Sequence, residues 1–160
     1  CLCGGTRAEG GWVRVVHHPR AYFTFPDLLK QVGVAEEADT SATSETCGGP
    51  VEQGRGFVLH SPDYVHESTL VVDDDVALTA TVDILKAIAR GSGPSHRLLA
   101  LGYAGWGPGQ LDEEILQNGW LSVKADANIV FNDNLSGKWK QALNKLGVDL
   151  SLLNENAGHA

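Results

Sequence analysis

Six residues carry most of the chemistry this chain could offer: Arg55, His60, Gly105, Trp106, Gly107 and Gln110. The last four sit in LLALGYAGWGPGQLDEEILQNGWL, Leu98 to Leu121. There an apolar run meets a glycine-rich turn, and the turn meets a helical pattern with an acidic front. Such a junction either cradles a ligand or makes a very tight structural turn. A helix start offers free N–H groups and a positive dipole end, which suits phosphate. The details disfavour that use. No GxxxxGK[ST] pattern is present, and Gly105, Gly107 and Gly109 give GxGxG rather than GxGxxG. Asp112, Glu113 and Glu114 already complement the dipole and would repel an anion. The plainer alternative is that the glycines take positive φ and allow close backbone approach, while Trp106 packs as a lid.

The other reactive groups are weaker signals. Arg55 stands between Gly54 and Gly56, where its fork could reach a carboxylate of this protein or of a ligand. His60, Ser61 and Asp63 superficially suggest a hydrolytic triad, but no GxSxG nucleophile elbow exists. Asp112, Glu113 and Glu114 could serve acid–base chemistry, yet adjacent helical residues point about 100° apart and do not converge alone. Asp73, Asp74 and Asp75 lack the alternating ligand spacing of a calcium loop and read as a solvated turn. Cys1, Cys3 and Cys47 are too few for a disulfide framework and supply only one tight ligand pair for zinc. They read as free thiols of a reducing compartment. No catalytic set, metal or cofactor is predicted.

The elements that must position these residues follow from periodicity. WVRVV (Trp12–Val16), Gly56–His60 and Leu98–Tyr103 read as strands. Thr69–Val72 and Val76–Thr79 read as a hairpin with the three aspartates at its tip, or as two strands with a sharp turn, and Trp120–Val123 and Asn128–Phe131 are further strand candidates. Helices are predicted from Thr24 to Gly33, over Thr81–Arg90, over Gln110–Gln117 and over Ser136–Leu146. Gly33, Gly91 and Gly147 would stop three of them. Ala35–Thr46 is polar and aperiodic, a candidate loop, and the tail from Leu150 could add a strand or turn. Strands and helices mix without strict alternation, which predicts an α+β class.

Composition bounds the function. The 160 residues fit a single domain, and 42% hydrophobic and 20% charged residues exclude wholesale disorder. A net charge of -8 disfavours a sequence-independent grip on phosphate backbones. Arg7, Arg14, His17, His18 and Arg20 form the one basic cluster. No apolar run reaches the roughly 20 residues that span a bilayer. The chain has no methionine and begins with Cys, which reads as a fragment or processed product. A lipoprotein start is the alternative, but nothing after Cys1 reads as a tether.

Several phrases together resemble one family. They are CGGPVEQGRGFVLHSPDY (Cys47–Tyr64), ALTATVDILKAIARGSGP (Ala77–Pro94), LALGYAGWGPGQLDEEILQNGWL (Leu99–Leu121) and the closing GHA (Gly158–Ala160). They look like the bacterial AlgH/YqgE family, over roughly Phe23 to Ala160. The resemblance implies an α+β domain with a mixed, bifurcated sheet curled towards a barrel and flanked by helices. It also implies a cytoplasmic bacterial protein labelled as a transcriptional regulator, with no established enzyme activity. The family pattern departs here over residues 1–22. A first strand with a LIAMP-like phrase is missing, and EGGWVRVVHHP (Glu9–Pro19) stands where EGAMGLVINRP is usual. Loss of that strand would expose a sheet edge and favour self-association into a homo-oligomer.

The leading expectation is a non-enzymatic regulator that works through a protein partner, with direct nucleic-acid contact disfavoured by charge. The alternative is a small-ligand or nucleotide binding domain, or an enzyme, sited around the Gly105–Gln110 turn. That alternative requires Arg55, His60 and Gln110 to converge.

Overall fold

The computed structural model describes residues 2–7, 10–15, 25–34, 44–124 and 126–148. Among the described residues there are seven strands: β1 (Leu2–Arg7), β2 (Gly10–Val15), β3 (Ser44–Cys47), β4 (Val51–His60), β5 (Thr69–Val71), β6 (Ala77–Thr79) and β7 (Arg97–Trp106). Five helices accompany them: α1 (Phe25–Gln31), α2 (Val82–Ala89), α3 (Gln110–Leu116), α4 (Ala127–Val130) and α5 (Lys138–Lys145). The class is α+β, as the mixed pattern predicts.

The sheet is mixed and branched around β7. Residues Leu98–Leu101 pair in parallel with β3, and Ala104–Trp106 pair antiparallel with β2. β4 runs antiparallel to β7, and β6 and β5 continue outward from it. β1 pairs with β2. The path runs β1-β2-β7-β4-β6-β5 and does not close, so the sheet stays open rather than forming a barrel.

The branch point explains three glycines. A methyl group on Gly102 would meet the Gly49 carbonyl oxygen at 2.5 Å, and one on Gly48 would meet the Gly102 carbonyl oxygen at 2.2 Å. Gly102 also has φ +76°, a region that penalises any side chain. The backbones of the β3 exit and of β7 therefore touch directly, and β7 changes partner there. The tight glycine of the sequence is Gly102, not Gly107, whose φ is not positive and whose added methyl would meet only Gln110 Oε1 at 3.8 Å.

Both sheet faces are covered, which is why Phe57–Leu59 and Leu98–Leu101 read as unbroken apolar runs. Phe57, Leu59, Leu78, Leu98 and Ala100 pack with Val76 and Val130 on one face. Val58 and Leu99 pack with Phe25, Leu28, Leu29, Ile84, Leu85 and Ile88 of α1 and α2 on the other. Each such fully buried side chain contributes about 1.5–3 kcal/mol. Gly33, Gly91 and Gly147 stand just past α1, α2 and α5 with φ near +70°, as the helix-stop reading requires.

Several expectations are corrected. Trp120–Val123 is not a strand, and Asn128–Phe131 is occupied by the short helix α4. There the Asp126 carboxylate accepts from the Asn128 N–H and caps a turn, which local propensity in that stretch conceals. β3 cuts into the predicted Ala35–Thr46 loop, because Thr46 is fully buried beside β7. The rest of that loop and the tail from Leu150 lie outside the described residues, as do the side chains of the basic cluster. Thr79 and Thr81 are both the residue type that caps a helix start, yet Thr81 stands at the N-cap of α2 without a hydroxyl bond and Thr79 bonds His60 instead.

Candidate functional site

β7 ends at Trp106, and Gly107-Pro108-Gly109 turns the chain into α3. Gly109 makes the turn with φ +74°. The Gln110 side chain closes it, its Oε1 accepting from the Gly107 N–H at 3.1 Å. The same side chain donates through Nε2 to Glu114 Oε1 at 3.1 Å, one helical turn on. Glu114 Oε2 then accepts two indole N–H groups, from Trp106 at 3.1 Å and from Trp120 at 2.7 Å. The two indole rings stand edge to face, 5.7 Å apart.

This clamp holds the Glu114 carboxyl below the usual carboxylate range. The Trp120 bond contributes most, then the Trp106 bond; desolvation opposes them, and the Gln110 amide adds the smallest lowering. The carboxylate is ionised and its two oxygens hold three donors, so it is a poor base. Equally, the donors around Gly105–Gln110 already hold an internal anion. The clamp ties the segment after α3 to the end of β7. It leaves Leu116 82% exposed and Leu121 60% exposed beside it. Asn118, at φ +60°, ends the helix, and the Gly119 N–H returns to the Glu114 carbonyl at 2.8 Å.

Gly105, Trp106, Gly107 and Gln110 thus share one locus, whereas His60 does not join it. His60 lies opposite Arg97 in the β4–β7 register, while Gly105 is eight residues further along β7, roughly 26 Å of strand. The imidazole is fully buried. Its Nδ1 bonds the Ser61 carbonyl at 2.8 Å and its Nε2 bonds Thr79 Oγ1 at 2.9 Å. A carbonyl only accepts, so Nδ1 carries the proton and Thr79 donates to Nε2. Thr79 Oγ1 in turn bonds Thr69 Oγ1 at 2.8 Å, and Thr69 Oγ1 accepts from the His66 N–H at 3.0 Å. Burial pushes the His60 pKa below its ordinary value, against the opposing influence of the Ser61 carbonyl and Asp63. Arg55 is exposed, pairs with Glu52 at 3.1 Å and lies over the Phe57 ring at 5.2 Å. These are structural bonds.

Three polar groups take roles that the sequence does not show: Glu114 and Asp63, legible there only as a solvated helix start and a superficial triad, and Lys138. Glu114 is the hub of the clamp. The Gln110–Glu114 spacing and tryptophans on both sides of α3 were the available signal. Asp63 accepts from Ser61 Oγ at 2.6 Å and from the Ser95 N–H at 3.0 Å, and pins the loop after β4 to the segment before β7. Its pKa falls to about 2 because bonds from Ser61 and Ser95 outweigh desolvation. Lys138 is fully buried and donates to the carbonyl of Val130 at the end of α4. Nothing in GKWKQ distinguishes it from the exposed Lys140.

Comparison with known proteins bears on this geometry. A UPF0301 protein of Bradyrhizobium diazoefficiens is 51% identical, across 99% of this chain and 78% of that one. A UPF0301 protein of Rhodospirillum rubrum is 50% identical, across 99% and 82%. The solution structure of the AlgH protein from Pseudomonas aeruginosa superposes with a TM-score of 0.75 at 37% identity, covering 96% of this chain and 82% of that one. A Corynebacterium diphtheriae protein, DIP2367, shares the fold alone, at 16% identity and a TM-score of 0.69. The AlgH-like family model matches residues 6–151, and with that span and these relatives the chain belongs to the AlgH-like family.

Proposed function

We propose that the protein is a regulator of the bacterial cytosol that works by contacting other proteins, in transcription-related control, and does not itself grip duplex nucleic acid. One observation carries the reading. A chain of net charge -8 exposes Leu116, Val65, Leu121 and Val71 at 82%, 65%, 60% and 53%. Exposed apolar groups among carboxylates suit a protein partner and repel phosphate. A small-ligand site would need open donors around Gly105–Gln110, whereas Glu114 holds the Trp106 indole and the Gln110 amide and Gln110 holds the Gly107 N–H.

The test has two arms. Photo-crosslinking residues at Leu116 and Val71, in bacterial cells, should give discrete adducts with proteins, absent when the crosslinker stands at exposed Lys140. Fluorescence anisotropy with a labelled duplex should stay flat at physiological salt. Saturable duplex binding that fades with salt, with no protein adducts, overturns the reading.

A further inference from the structure

We infer that the outer edge of β5 accepts an extended segment of another protein in which apolar residues alternate with Lys or Arg. The inference rests on the protein-contact reading and names its surface and partner chemistry.

The edge is built in a specific way. β5 ends the strand path and pairs only with β6 among the described residues. The register sets Thr69 opposite Thr79, Leu70 opposite Leu78 and Val71 opposite Ala77. One residue further, the Val72 N–H donates to the Val76 carbonyl at 2.9 Å. Antiparallel pairs alternate between bonded and non-bonded, so Leu70 is the next bonded residue and Val71 directs its N–H and C=O outward. Thr69 obeys the same alternation, since its N–H turns away from β6 to the His66 carbonyl at 2.9 Å. Leu70, Val71 and Val72 are 42%, 53% and 37% exposed, with Val65 beside them in sequence. This is an exposed, apolar edge of the sort that natural sheets usually blunt. It is also anchored, because Thr69 is tied through Thr79 to buried His60. A held strand costs little ordering on pairing.

Charge selects the occupant. Exposed Glu67 precedes β5, and exposed Asp74 and Asp75 follow it. Asp73 is committed to the turn, accepting from the Asp75 and Val76 N–H groups at 2.9 and 2.8 Å. An added strand therefore runs between carboxylates at both ends. Strand addition takes its affinity from main-chain bonds and its specificity from side chains. A second copy of this chain is the wrong occupant. Antiparallel β5–β5 pairing would set the aspartates of each copy against Glu67 of the other, and like charges across strands repel.

The probe is the synthetic heptapeptide Lys-Val-Lys-Val-Lys-Val-Lys, titrated into the full labelled chain and followed by amide correlation spectra and hydrogen exchange. Saturable shifts centred on Thr69–Val72, with exchange at the Val71 amide slowed at least about ten-fold, support the inference. Val71→Pro removes the outward N–H without touching the β6 ladder, and should weaken binding at least about ten-fold. The triple variant Glu67→Lys, Asp74→Lys, Asp75→Lys should lose this peptide and accept its Glu-for-Lys counterpart. A dispersed spectrum for each variant reports that it folds. Absence of binding overturns the inference, as does a Val71 amide already slow in the free chain, or a dimer in sedimentation that pairs through β5. Shifts centred on Ile115–Leu121 overturn it too, while leaving the protein-contact reading intact. That reading falls separately, on the crosslinking and duplex arms.

Discussion

Trp106 and Trp120, fourteen residues apart and on opposite sides of α3, donate their indole N–H groups to the same oxygen of Glu114. The bonds bring the two rings edge to face at 5.7 Å. One carboxylate thereby joins the end of β7, the first turn of α3 through Gln110 and the segment after the helix. The geometry that a ligand anion would exploit is satisfied from within. Leu116 and Leu121 stand exposed beside it.

Glu114→Gln should loosen this junction. The amide keeps one acceptor oxygen and sets an NH2 group against the donors it must face. Tryptophan emission should shift to the red and the melting temperature should fall. In the wild-type protein the folded pKa of Glu114 lies below its ordinary 4.5. Its contribution is full above 4.5 and is lost as pH falls through the lower folded value. Emission followed during acid titration should therefore hold below pH 4.5, and a change complete above that pH would contradict the clamp.

Gly102→Ala should be far more damaging than Gly107→Ala. At Gly102 a methyl group meets a carbonyl oxygen at 2.5 Å on a backbone at φ +76°. The expected cost is about 3 kcal/mol or more, by overpacking and left-handed strain together. At Gly107 the expected change is within about 0.5 kcal/mol. Urea unfolding of both variants decides the order.

The His60 hydrogen-bond chain predicts acid sensitivity. The folded pKa lies below the ordinary 6.5, so between the two values the unfolded chain binds more protons. Stability should fall as pH drops below about 6.5. Thr79→Val leaves the buried Nε2 without its donor and should cost about 1–3 kcal/mol at neutral pH. Denaturant midpoints between pH 5 and 8 test both statements, and a flat wild-type profile would remove His60 as the titrating group.

Lys138 predicts the opposite limb. Burial lowers its pKa from 10.5 to about 8, with Asp133 opposing. Between these values the unfolded chain binds more protons, so stability should rise as pH climbs from 8 towards 10.5. Lys138→Met should flatten that rise, while at pH 7 the loss of a buried charge is offset by the Val130 carbonyl left without its donor. Unfolding midpoints at pH 7 and pH 10 provide the comparison.

Local pattern was enough to read the α+β class, the helices starting near Phe25, Val82, Gln110 and Lys138, the glycine stops of three of them and the Asp73–Asp75 hairpin. These depend on neighbours within a few residues, where periodicity and turn chemistry act. The motif phrases were enough to recognise the family. Tertiary structure alone decided that Gly48, Gly49 and Gly102 cross, because only the folded sheet brings two backbones into contact. It alone turned His60 away from Gly105 and buried it against Thr79, through a strand register that a sequence does not display. It alone chose Glu114 over its neighbours Asp112 and Glu113, and Lys138 over Lys140. Among residues of the same type, pairing in space decides which one is held and which one faces water.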